Sequence, residues 1–144
     1  MALYVAICLF AALIAVPRTA VHPRVLGIVW GVTIGLAAAH WFAFRVSARL
    51  VGAGAIRAHD VRSAVAQLAG AVAVALLASI PVLIFPETLE VEIVELVLAG
   101  FIAVVGYAAA RGGGAGRMRA SGYALAMLVI AVAIAALKNG LAGH

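Results

Sequence analysis

Four long apolar segments govern what this chain can become: Val25–Phe44, Ser63–Phe85, Val91–Ala110 and Ser121–Leu137. A helix of about 20 residues crosses roughly 30 Å of hydrocarbon. In lipid, every backbone N–H and C=O must find a partner within the protein, and a helix achieves this inside one segment. The whole chain reads the same way. It has 144 residues, 67% of them hydrophobic and 10% charged, and its mean hydropathy is +1.24. Soluble domains are about 45–50% apolar and about 25% charged. A water-soluble fold of this size cannot hide so much apolar side chain. The expectation is an all-α, polytopic integral membrane helical bundle, forming a single transmembrane domain over residues 1–144.

A fifth apolar segment, Ala2–Val16, is stopped by Pro17. Its length gives about 22 Å of helix at ~1.5 Å per residue. It has no Lys or Arg before the apolar run and a poor small-x-small cleavage site, which argues against a signal peptide. It reads as a short first transmembrane helix. The expected helices are therefore about 2–16, 25–44, 63–85, 91–110 and 121–137, five in all, or four if the first does not span.

Charge orients the bundle. Arg45, Arg49, Arg57 and Arg62 follow the second helix, and Arg111, Arg117 and Arg119 follow the fourth. Arg18, Arg24 and Lys138 fall on the other side. The positive-inside rule puts the first set in the cytoplasm, with the N-terminus inside and the C-terminus outside. Arginines confined to short turns fit anionic lipid headgroups rather than nucleic acid. The glycine-rich turn "RGGGAGRMR" lacks the Gly-Lys-Ser/Thr ending of a phosphate-cradling loop and reads as a flexible connection.

The second helix has two faces. Gly27, Gly31, Gly35 and Ala39 form one stripe at four-residue spacing. Small-xxx-small spacing lets two helix backbones approach closely. The partner is either another helix of this chain or another subunit. The opposite face carries Trp30, Thr33, His40, Trp41 and Phe44. Trp41 and Phe44 precede Arg45, as in an interfacial anchor. His40, Gln67 and Tyr107 lie at similar depth and form a candidate inner polar cluster.

Four of the five acids fall in "PETLEVEIVE". Glu87 and Glu90 suit the first helical turn, where carboxylates oppose the positive end of the helix dipole. Glu92 and Glu95 fall inside the apolar span. Two central carboxylates would cost about 5–7 kcal/mol against insertion, more than the apolar residues around them return. They are therefore expected to be shallow, paired or protonated, and Lys138 is the partner that this topology offers. The candidate set Glu92, Glu95 and Lys138 reads as an ion pair, or as an ion or proton site. Ser79 and Pro81 suggest a kink in the third helix on the same side.

Cys8 is the single cysteine, so neither an internal disulfide nor a cysteine-based metal cluster is expected. No metal site, cofactor or nucleophile–base set is visible, and an enzyme is not expected. The alanine-, valine- and arginine-rich composition suits a small protein of the bacterial inner membrane. The expected role is a non-enzymatic accessory or assembly subunit acting through helix packing. Its partners would be a bilayer with anionic headgroups and a membrane protein or further copies of itself. The alternative is a small oligomeric ion- or proton-coupled transporter or channel.

Overall fold

The computed structural model describes residues 1–16, 21–51 and 58–141. It is all-helical, with five helices: α1 (Ala2–Leu13), α2 (His22–Val51), α3 (Ala58–Ile84), α4 (Glu87–Gly112) and α5 (Arg117–Leu141). Four of these contain stretches long and apolar enough to cross a membrane: His22–Ser47, Val61–Ile84, Glu87–Gly112 and Arg117–Ile134. This is the architecture of a multi-pass membrane helical bundle.

α2, α4 and α5 exceed their apolar segments at both ends and α3 at its start, because polar and charged residues can extend a helix once it has left the hydrocarbon. α2 begins at His22, three residues before the apolar run, with Pro23 at its start. There a missing N–H costs nothing and the fixed φ favours the helix. α1 is shorter than the expected 2–16. It ends at Leu13, four residues before Pro17, whose ring in a continued helix would clash with the carbonyl four residues back. Its 12 residues reach about 18 Å at ~1.5 Å each, so α1 is a shorter apolar helix beside the four of spanning length.

The helices pack in sequence as an arc, α2 beside α3, α3 beside α4 and α4 beside α5. Among the described residues α5 touches neither α2 nor α3. α1 touches all four and closes the arc. Val5, Ala6, Leu9, Phe10, Ala11 and Leu13 of α1 are buried. They meet Val25 and Val29 of α2, Val74 and Ala78 of α3, Val94 and Leu98 of α4, and Ala131 of α5. The first turn of α1 lies beside the midpoint of α3, where a Cβ on Gly70 would sit 3.2 Å from the Ala2 Cβ.

The core therefore occupies one half of the bundle, at the end where α2 and α4 begin. This is called the acid end here, because Glu87, Glu90, Glu92 and Glu95 lie there; the other is the arginine end. Among the described residues, no central helix fills the space between α2 and α3 in the arginine-end half.

α4 ends in a Schellman motif rather than a loose connection. Gly114 has φ +83°, the left-handed conformation that glycine adopts without a Cβ penalty. Its N–H donates to the Arg111 carbonyl at 3.0 Å, and that of Ala115 donates to the Ala110 carbonyl at 3.0 Å. An Arg111 guanidinium N–H donates to the Ala115 carbonyl at 2.7 Å. The turn expected to be flexible is hydrogen-bonded, with one glycine position required by the backbone.

α3 runs through Pro81 to Ile84. The Ser79 hydroxyl donates to the Ala75 carbonyl at 2.8 Å, a back-bond four residues away of the kind that bends helices slightly.

Candidate functional site

The acid end holds a buried carboxylate that sequence reasoning assigned only to helix initiation. Glu90 is 0% exposed. It stands four, eight and twelve residues before Val94, Leu98 and Ile102, all buried on the core face of α4. Residues four apart stack along one side of a helix. Glu90 is therefore carried into the core by the same register that buries its aliphatic neighbours. His22, the first residue of α2, places Nδ1 against Glu90 Oε2. The imidazole is 38% exposed. Both carboxylate oxygens and His22 Nδ1 are buried, and none of the three has a hydrogen-bond partner among the described residues, so imidazole and carboxylate are in contact without a formed hydrogen bond. The signal for Glu90 was the four-residue register with Val94, Leu98 and Ile102. His22 had no such signal, since it reaches Glu90 only through the arrangement of α2 against α4.

The residues singled out from the sequence at this end lie elsewhere. Glu92 is exposed and Glu95 half-buried, and both make interactions. α5 brings Lys138 to the same end, but its side chain is outside the described residues. Arg18 is also outside them.

At the arginine end, His40 and Gln67 line one cavity of about 380 Å³ between α2 and α3, with Phe44, Ser47, Ser63 and two alanines. It lies in the half of the bundle that α1 does not reach. A Gln67 Nε2–H donates to Ser63 Oγ at 3.4 Å. Tyr107 does not line this cavity; it is half-buried on α4. The expected three-residue cluster is thus two residues in one niche. The rings of Trp41 and Phe44 lie 5.9 Å apart, tilted by 35°. Trp41 faces a second recess of about 660 Å³ with Arg45, Phe42 and Val46. An aromatic pair beside an arginine is the arrangement of a membrane–water anchor.

The glycine stripe of α2 points outward. A Cβ on Gly27, Gly31 or Gly35 would meet nothing within 4 Å, and Ala39 is exposed. Packing of this stripe against another helix of the same chain is not what the described residues show. The opposite side of α2 faces the bundle through Val25, Val29 and Thr33, and the buried Thr33 hydroxyl donates to the Val29 carbonyl at 2.7 Å. Close helix approach within the chain falls instead at Gly70, against Ala2, and at Gly106. A Cβ on Gly106 would lie 3.4 Å from the Ala124 Cα and 3.3 Å from the Met127 Cγ on α5.

Among the described residues no group of three or more His, Cys, Asp or Glu side chains could hold a metal ion. Comparison of the chain with protein-family models, curated proteins and solved structures finds no match.

Proposed function

We propose that this chain is a non-enzymatic accessory or assembly subunit of the bacterial inner membrane, which docks through the outward face of α2. One observation carries the reading: Gly27, Gly31 and Gly35 share a stripe with no neighbour within 4 Å. Glycine in a helix interior costs up to about 1 kcal/mol relative to alanine in water. Three on one face, unused by the chain's own helices, suit close approach by a helix of a second membrane polypeptide, held by dispersion and weak hydrogen bonds. The arginine end faces the cytoplasm and its anionic headgroups in this reading, with the C-terminus outside.

Gly31→Leu tests it cleanly, because the open space at Gly31 leaves the monomer fold room for the new side chain. In mild detergent the wild type is expected to run as a particle larger than one 14.6 kDa chain. Gly31→Leu should fall to a single chain with unchanged helicity. Mass spectrometry of the wild-type particle identifies the second polypeptide. A wild type that is already a single chain, or a Gly31→Leu particle of unchanged mass, overturns the reading. A pure homo-oligomer with pH-dependent flux in liposomes replaces it with the transporter.

A further inference from the structure

We propose that Glu90 and His22 form a proton-binding site at the acid end of the bundle, with the carboxylate as buried acceptor and the imidazole as its connection to water. The site does not depend on the assembly role and stands on its own geometry. Glu90 is fully buried, its Oε1 has no partner among the described residues, and its Oε2 meets His22 Nδ1. An ionisable group inside a membrane bundle is expensive to place, and such groups mark proton and ion pathways. The imidazole is the exposed half of the pair, so exchange with the aqueous phase runs through it.

Charge balance sets what the pair can hold. With no proton between them, the carboxylate leaves one negative charge among Val91, Val94 and the α1 core. One proton, taken from water and held on the imidazole nitrogen or the carboxyl oxygen, makes the pair neutral overall. A second proton leaves an imidazolium beside a neutral carboxyl. Low-dielectric surroundings penalise uncompensated charge, and the pair with one proton carries none.

The other charged groups nearby are few. α1 contributes none from Leu9 to Val16 and α3 none from Ser79 to Ile84. α2 adds Arg24, exposed just after His22. α4 adds Glu87 one turn before and Glu92, both exposed, and the half-buried Glu95. Lys138 on α5 and Arg18 complete the end by sequence.

Infrared difference spectroscopy of the full chain in detergent tests the site, comparing samples at about pH 9 and about pH 6. Over this range solvent-exposed glutamates stay ionised. The wild type should show a carboxyl or carboxylate difference band that is lost in Glu90→Gln and altered in position or size in His22→Asn. A carboxyl region identical in wild type and Glu90→Gln overturns the proposal. If Glu90→Gln does not fold, His22→Asn decides: a wild-type carboxyl band left unchanged by it also overturns the site.

Discussion

Ala2 of α1 lies against Gly70 at the midpoint of α3, where a Cβ on the glycine would come within 3.2 Å of the Ala2 Cβ. That contact fixes how far the central helix reaches into the bundle. One half is built around α1 and holds the aliphatic core; the other has the niche of His40 and Gln67. Gly70→Leu should push the first turn of α1 out of its groove. The single cysteine, half-buried Cys8 on α1, reports this directly. Its alkylation by a maleimide should be several-fold faster in Gly70→Leu than in wild type; equal rates would show that α1 is not held at this point.

The pairing of His22 with Glu90 predicts an asymmetric mutational response. His22→Ala leaves a buried carboxylate without a partner, which costs about 1–3 kcal/mol. Replacing both residues by leucine removes the polar burden together with its partner and should recover most of that loss. Denaturant titration in detergent, followed by helicity, measures both. A double variant less stable than His22→Ala would contradict the account.

Two glycine positions should separate folding from assembly. Gly106→Leu forces a side chain against the Ala124 backbone and Met127, and overpacking of this kind costs about 1–3 kcal/mol. Gly31→Leu meets open space and should leave monomer stability within about 0.5 kcal/mol of wild type. Thermal unfolding of the two variants in detergent gives the comparison.

The α4–α5 turn predicts a smaller, local effect. Gly114→Ala puts a Cβ into a left-handed backbone position, at about 1–2 kcal/mol. Gly112→Ala, in the helical turn before it with nothing within 4 Å, should be neutral or slightly stabilising. Equal stabilities would mean that the turn does not hold its Schellman geometry in the protein.

The niche between α2 and α3 predicts tolerance. His40 makes no hydrogen bond among the described residues and faces a cavity rather than packed neighbours. His40→Ala should therefore change unfolding free energy by less than about 1 kcal/mol. A larger loss would give His40 a structural partner.

Much of this protein follows from its sequence alone. Apolar runs of membrane-spanning length, broken by arginine turns and by Pro86, determine four long helices and their alternation, because in lipid the backbone has no other way to satisfy itself. The register of Glu90 with Val94, Leu98 and Ile102 was legible too, once α4 was followed as a helix rather than as a run of acids. Tertiary structure decided the rest. A short helix apolar on all sides, such as α1, carries no sign of how deep it sits, because lipid and protein interior are equally apolar to it. A glycine stripe shows that one face is smooth but not which way it turns, and here it turns outward. His22 and Glu90 stand far apart in the chain, and only the arc of helices, which brings the first turns of α2 and α4 together, carries an imidazole to a carboxylate that the core has already buried.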